Sequence, residues 1–495
     1  MTRAPNFILF ITDQLRADFL GCYGHPQVQT PNIDDLAAKG LAFDRFYVAS
    51  PVCMPNRASL MTGRMPSVSG VRANGIPLAR DRVTFVDLLR AAGYQTALCG
   101  KSHLQNFTGR PPVLPETASA TATPPPGDLA QARRGTLDDA WHGQEDPAHW
   151  NEADGVSTPF YGFDRVDLTT GHGDDIHGSY RRWLLERDAG AAEKIGADHQ
   201  LAHDYSCPQA VRTALPEDLY STSYIAECAG DFLSNADPDR PFFLMVSFPD
   251  PHHPFNPPGR YWDMYDPDNM PLPEAFSRND WTPPATVRGL LEQRTEGGAN
   301  LQGMNTFGCS AREAQEARAL TCGMITMIDD AIGRVRHTLT ETGQAEDTVI
   351  LFTSDHGDNL GDHRLLLKGA ECYEQVTRVP FIWTDPQAHA AGDRTDRIGQ
   401  THDIGAAILA RAGLAPFSGF QGQDVVSGPG RDAALIQYEH QRIHPGLGRP
   451  PRLRALRTDR YRITIYDGVS EGELYDLETD PGEFENLWNK PEAAT

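Results

Sequence analysis

Asn6-Phe7-Ile8-Leu9-Phe10-Ile11-Thr12-Asp13-Gln14 decides the fold, because an uninterrupted apolar run from Phe7 to Ile11 stops at a carboxylate and an amide. A strand that is apolar on both faces belongs inside a sheet covered on both sides, the setting of parallel strands in α/β proteins. Working outward, similar short runs bounded by Asp, Gly or Pro are read as strands at Gln95–Cys99, Phe242–Phe248, Val349–Thr353 and Val379–Trp383. Helical patterns separate them at Asp34–Lys39, Ala58–Met61, Phe85–Ala92 and Ala311–Thr342. The last of these sets Leu320, Met324, Met327, Ile328, Ile332 and Val335 on one face. The alternation predicts an α/β fold with a large mixed, mostly parallel sheet flanked by helices.

Four of these strands run directly into groups that can do chemistry. Asp13 and Gln14 follow the first, Lys101 and His103 the second, His252 and His253 the third, and Asp355 and His356 the fourth. A single Asp after a strand is ordinarily a helix cap or turn residue. In open α/β sheets, however, the carboxyl ends of the strands line the ligand crevice, so four such ends converge on one site. Asp13, Gln14, Asp355 and His356 offer oxygen and imidazole ligands suited to one divalent cation, Ca²⁺, Mn²⁺ or Mg²⁺.

With 495 residues the chain has room for one large domain and a smaller one. The division read from the sequence is 1–428 for the catalytic domain and 429–495 for a C-terminal subdomain. In the second, runs at Ala434–Tyr438, Arg452–Thr458, Tyr461–Tyr466 and Glu473–Tyr475 predict a short antiparallel sheet. The stretch 108–219, rich in Pro, Ala, Gly, His and Asp, reads as an insertion of local helices and loops near the active-site mouth. Forty-four basic against 67 acidic residues, a net charge of −23, argue against nucleic acid or an anionic membrane surface as the partner. An anionic substrate must then be held by local cations.

No run approaches the roughly 20 apolar residues of a membrane span, and the first apolar run is too short for a secretory signal. A cytoplasmic location is the expectation, and the Asn106-Phe-Thr108 sequon is read as chance. The eight cysteines show no CxxC pairing, so neither a zinc site nor a disulfide framework is expected. Homo-oligomerisation is expected on general grounds.

Between the first two predicted strands lies Ser50-Pro-Val-Cys53-Met-Pro55-Asn-Arg57-Ala-Ser-Leu-Met-Thr-Gly63. Cys53 sits near a helix N-terminus, where the dipole favours negative charge, with Arg57 one turn on. On the residues alone, both an activated cysteine and an inert buried thiol remain open.

Cys53-x-Pro55-x-Arg57 followed by Ala58-Ser-Leu-Met-Thr-Gly63 resembles the signature of the sulfatase family, in which the cysteine is oxidised to formylglycine. The resemblance runs along nearly the whole chain. It takes in Asn6–Asp13, Thr30-Pro-Asn-Ile-Asp34, Gly100-Lys101-Ser-His103-Leu, Pro251-His252-His-Pro254, Thr353-Ser-Asp355-His356-Gly-Asp and Glu473-Leu-Tyr-Asp-Leu-Glu-Thr-Asp480-Pro. It implies an alkaline-phosphatase-like fold and sulfate monoester hydrolysis through formylglycine. One hydroxyl of the hydrated aldehyde attacks sulfur; the other later loses its proton and expels sulfate.

The resemblance further implies a metal held by Asp13, Gln14, modified Cys53, Asp355 and His356, with Ca²⁺ first and Mn²⁺ or Mg²⁺ as alternatives. It has Arg57 and Lys101 hold the formylglycine, His103 take the elimination proton, and His252 and Lys368 assist the leaving group. A formylglycine-generating enzyme is the implied partner. Gln14 stands where many members carry Asp, and His356 where many carry Asn or Gln. Both departures resemble the phosphonate monoester hydrolase and choline-sulfatase branches, and Asn74, a candidate substrate-binding residue, resembles an active-site asparagine of the former. Phosphonate monoester or phosphodiester hydrolysis is therefore the alternative, and Lys101-x-His103 favours the sulfatase.

Overall fold

Strand β1 (Asn6–Thr12) forms where expected, at the centre of a nine-stranded sheet. The computed structural model describes residues 4–108, 139–388 and 392–490. In chain order the strands are β2 (Leu41–Tyr47), β3 (Gln95–Lys101), β4 (Arg165–His172), β5 (Asp175–Gly178), β6 (Phe242–Ser247), β7 (Phe307–Gly308), β8 (Thr348–Ser354), β9 (Leu365–Leu366), β10 (Phe381–Thr384) and β11 (Asp393–Gln400). The main sheet has the order β11-β2-β10-β8-β1-β6-β3-β4-β5, while β7 and β9 pair separately. Only β10 and β5 run against their neighbours in it; the other pairings are parallel.

The continuous apolar run of β1 has a direct cause. Ile8 and Phe10 enter a core on one side of the sheet, whereas Phe7, Leu9 and Ile11 enter a second core on the other. Strands β6 and β8 divide in the same way, Leu244 and Phe352 on the first side and Met245 and Leu351 on the second. Helices Ser221–Asn235 and Ala311–Glu341 cover the first side. The longer one starts at a capping box in which Ser310 Oγ accepts from Glu313 N and Ser310 N donates to the Glu313 carboxylate.

Four strands of the sheet were not expected from sequence. β2, β4, β5 and β11 lie toward its two edges and carry polar residues, as in Asp393-Arg-Thr-Asp-Arg397, so no apolar run announces them. Strands β4 and β5 also correct the reading of 108–219 as helices and loops alone, since that stretch supplies two strands of the central sheet. Residues 109–138, including the Pro-Pro-Pro run, fall outside the described residues. The helix expected at Ala58–Met61 spans Cys53–Thr62, because Pro55 lies in its first turn, where a missing N–H costs nothing.

The C-terminal sheet is antiparallel as expected, β12 (Ala433–Glu439), β13 (Arg452–Thr458), β14 (Tyr461–Tyr466) and β15 (Glu473–Asp476). Ile436, Tyr438, Leu453 and Tyr466 from it pack on Val52 and Cys372. The small sheet thereby abuts the segment that leads into Cys53.

Candidate active site

The carboxyl ends of β1, β3, β4, β6 and β8 open on one buried cluster. Asp13, Gln14, Lys101, Asp355 and His356 are all at most 1% exposed. Each is placed by strand register: β8 and β6 flank β1, and Asp355 N donates to Thr12 O at 3.0 Å. Gly100, at φ 109°, lets β3 close on β6, because a Cβ there would overlap the Ser247 carbonyl.

Cys53 is the first residue of the helix Cys53–Thr62, every residue of which is buried. Its Sγ lies 3.1 Å from His356 Nε2 and 3.6 Å from Asp13 Oδ1. Burial first, and then the Asp13 carboxylate, push the thiol up to about 12. Burial thus favours the thiol over the thiolate at this position.

Arg57, one turn along, donates from Nε to Asp355 Oδ2 at 2.6 Å and from Nη1 to Lys101 O at 3.0 Å and Ser247 Oγ at 2.9 Å. Lys101 pairs with Asp13 Oδ2, and its Nζ also donates to His172 Nε2 at 2.7 Å. Burial works against the Asp13 carboxylate, yet Lys101 and His252 hold it well below the usual range. The two cations thus neutralise and orient the two carboxylates.

His356 Nδ1–H donates to Gly357 O at 2.9 Å, which leaves Nε2 as the lone-pair nitrogen facing Asp13 Oδ1 at 3.3 Å. Ligand atoms of Asp13, Cys53, Asp355 and His356 all fall within 4.8 Å of one another, as do those of Asp13, Cys53, His172 and His252. Two carboxylates and a lone-pair imidazole fit one divalent cation. Gln14 sits beside this set in a left-handed conformation, φ 69°, its N–H donating to Asp355 Oδ1 at 3.1 Å. Its side-chain oxygen accepts from Lys368, and its amide nitrogen donates to Asp358 and reaches His253 Nδ1 at 3.1 Å.

A cleft of about 480 Å³ leads down to Cys53, with Asn74, His103, His172, His252 and Lys368 among its walls. Lys368 Nζ donates to His252 Nε2, whose Nδ1–H donates to His253 O. His253 is not among the cleft walls. His103 stacks on Phe107 at 4.0 Å, and its buried Nδ1 has no hydrogen-bond partner among the described residues. Burial and nearby Lys101 hold its pKa well below the usual histidine range, so the ring is a neutral base. Asn74 Oδ1 accepts from Met54 N at 3.1 Å, satisfying an amide that the helix start leaves free. His363 stacks on Tyr373 at 3.7 Å and donates to Glu483 O.

Sequence reasoning missed three residues here. His172, at the end of β4, stacks on His252 at 3.7 Å; the strand-end rule finds it once Arg165–His172 is known as a strand. Asp358 accepts from Leu360 N and Leu367 N at 2.8 Å, folding the loop that brings Lys368 to the cleft. Glu145 is fully buried and its Oε1 accepts from both Leu104 N and Gln105 N at 3.0 Å, clasping the loop that carries His103. No local pattern marks the last two.

The family model for sulfatases matches residues 5–414, and the model for the C-terminal region of N-sulphoglucosamine sulphohydrolase matches residues 361–495. The chain belongs to the sulfatase family. By that membership this sulfatase is an enzyme of the sulfuric ester hydrolase class. It is 28% identical to an arylsulfatase of Clostridium perfringens over 99% of its own length and 91% of the relative's. It is equally 28% identical to the multifunctional alkaline phosphatase superfamily protein PehA of Trinickia caryophylli, covering 99% of the sulfatase and 92% of PehA. Among solved structures, the phosphonate monoester hydrolase of Agrobacterium radiobacter superposes with a TM-score of 0.76 at 25% identity, covering 99% and 92% of the two chains.

Proposed function

We propose that this sulfatase hydrolyses sulfate monoesters with a formylglycine made from Cys53 as nucleophile and one divalent cation, Ca²⁺ first, held by Asp13, Asp355 and His356. The observation that carries the reading is the placement of Cys53. Its side chain projects from the first turn of a buried helix to the cleft floor, within 3.1 Å of His356 Nε2 and 3.6 Å of Asp13 Oδ1. Formylglycine supplies a hydroxyl nucleophile that the protonated thiol is not, and the cation supplies charge to polarise the sulfate and lower the pKa of that hydroxyl.

The chain's own groups supply the rest. Arg57 pairs with Asp355 and Lys101 with Asp13, which aims both carboxylates at the floor. His103, with its free ring nitrogen beside the cleft, accepts the proton whose removal releases sulfate. Lys368, held by His252 and Gln14, donates a hydrogen bond to the bridging oxygen as the alcohol leaves. Because the whole helix Cys53–Thr62 is buried, a formylglycine-generating enzyme must meet this segment before the fold closes.

Phosphonate monoester hydrolysis is the second reading, favoured by the likeness to the Agrobacterium enzyme and by Asn74 at the helix start. Peptide mass spectrometry of position 53, with kcat/KM for an aryl sulfate against a phenyl phosphonate monoester, tests both readings. Loss of the thiol sulfur and a preference for sulfate are expected. Full activity with unmodified cysteine overturns the nucleophile, and a preference for phosphonate overturns the substrate.

A further inference from the structure

Beyond the reacting floor, one wall of the cleft comes from the C-terminal sheet, through the segment Tyr438–Arg442 at the end of β12. Its charge is opposite to that of the molecule. The chain carries a net −23, yet the one carboxylate among the described residues lining the cleft is Glu439. That carboxylate is already claimed: Oε2 accepts from Arg72 at 3.1 Å, and Oε1 accepts from Arg452 at 3.2 Å with Arg454 at 3.5 Å. Three guanidinium groups meet this one carboxylate, and although Arg452 also reaches Asp467 at 3.6 Å, Glu439 brings no uncompensated negative charge to the cleft.

Arg442 completes this wall. It is exposed and lines the cleft, and no carboxylate among the described residues lies within 4.0 Å of its guanidinium. Lys101 and Arg57, by contrast, are spent on Asp13 and Asp355. The backbone that carries Arg442 is fixed on both sides. Arg442 N donates to His440 Nδ1 at 3.1 Å, and Gln441 Nε2 donates to Asn74 O at 3.1 Å, which ties the turn to the start of the Cys53 helix. On the other side His444 Nε2 meets Glu371 Oε1 at 3.0 Å, and Glu371 Oε2 accepts from Thr306 at 3.1 Å, which ties it to the Lys368 loop. An unpaired cation on an anchored turn, beside a carboxylate that has no charge left to offer, is built to receive an anion and to refuse a cation.

We infer that Tyr438–Arg442 forms a subsite for a second anionic group, a carboxylate or a further sulfate, on the alcohol half of the substrate, with Arg442 as the residue that sets this preference. The inference rests on the sulfate-ester reading and narrows it to esters of acidic alcohols, against esters whose alcohol carries a quaternary ammonium.

Four aryl sulfates test it: unsubstituted, carboxylated, bearing a second sulfate, and bearing a trimethylammonium group. The readout is kcat/KM for each charged ester divided by that for the neutral one within the same variant, so a general loss of activity cancels. Wild type should prefer both anionic esters over the cationic one, and Arg442→Ala should lower that preference about tenfold or more, the scale of a charge-assisted hydrogen bond. Arg442→Glu should reverse it. Arg442→Lys distinguishes the two anions: it should weaken the preference for the planar carboxylate, which takes both arms of a guanidinium, and spare the sulfate arm. In wild type alone, raising ionic strength should shrink the preference, because the rim is open to solvent.

A wild-type enzyme that cleaves the cationic ester as well as the carboxylated one overturns the subsite, as does a ratio unmoved in Arg442→Glu. If all four sulfates are inert while a phenyl phosphonate monoester is cleaved, it is the reading of the reacting group that fails. The same charge series on phosphonate monoesters then decides for or against Arg442.

Discussion

Glu145→Gln should raise the stability of the protein near pH 8 and raise it far less near pH 5. The carboxyl is fully buried under the His103 loop, and burial pushes its pKa from 4.5 to about 7 although the Gln105 and Leu104 amides partly offset the shift. Between those values the unfolded chain has released the proton while the folded chain keeps it, so stability falls as pH rises through the window. At about 1.4 kcal/mol per pH unit the penalty reaches roughly 3 kcal/mol once the pH exceeds the folded-state value. It is absent below the unfolded value. Glutamine keeps an oxygen for both amides and carries no charge, so it escapes the penalty.

Glu145→Ala behaves differently. It strands two buried amides, at about 1–3 kcal/mol each, and frees a loop in which His103 is held at φ 54°. Turnover should fall in the alanine variant and persist in the glutamine one. Denaturant unfolding of the three proteins at intervals between about pH 5 and pH 8, together with kcat on an aryl sulfate, measures both effects. A stability gap between Glu145→Gln and wild type that is the same at both ends of the range refutes the reasoning, and so does wild-type kcat in Glu145→Ala.

Asp355→Ala removes a carboxylate facing the proposed cation and strands buried Arg57, so elemental analysis should show bound metal falling together with activity, and chelation of wild type should do the same; activity indifferent to chelation contradicts the metal assignment. His103→Ala should slow steady-state turnover by about 10²–10⁴-fold, with a rapid first release of alcohol in stopped flow, because attack survives and proton removal does not. A uniform slowing with no initial burst points to another base. Arg462→Met leaves Glu473 and Glu483 buried without their cation, and should cost about 3–5 kcal/mol in urea unfolding. Unchanged stability in that variant refutes the ion-pair reading.

Much of the site was legible because the groups that matter follow the most strongly patterned strands. β1, β6 and β8 are apolar on both faces, so their ends are visible and Asp13, His252 and Asp355 stand just beyond them. His172 escaped because β4 lies toward the sheet edge, where partial exposure permits Arg165 and Asp167 and erases the apolar signal. Glu145 and Asp358 escaped for another reason. A carboxylate that clasps backbone amides of a loop, near it for Asp358 and about forty residues away for Glu145, has no periodicity to betray it.

The sequence by itself determined the class of fold and, by local pattern and residue type, the strand ends that carry Asp13, Lys101, His103, Asp355 and His356, while Cys53 and Arg57 were marked by the resemblance to the family signature. Tertiary structure alone decided what each group faces. That Cys53 favours the thiol form, that the oxygen of Gln14 is taken by Lys368, and that His356 turns a lone pair toward Asp13 follow from burial and from partners on other strands. The same holds at the cleft mouth, where Glu439 is silenced by arginines from β13 and from the loop after the Cys53 helix while no carboxylate among the described residues pairs with Arg442. Charge in a sequence is a count, whereas charge in a cleft depends on which neighbours the fold has already paired.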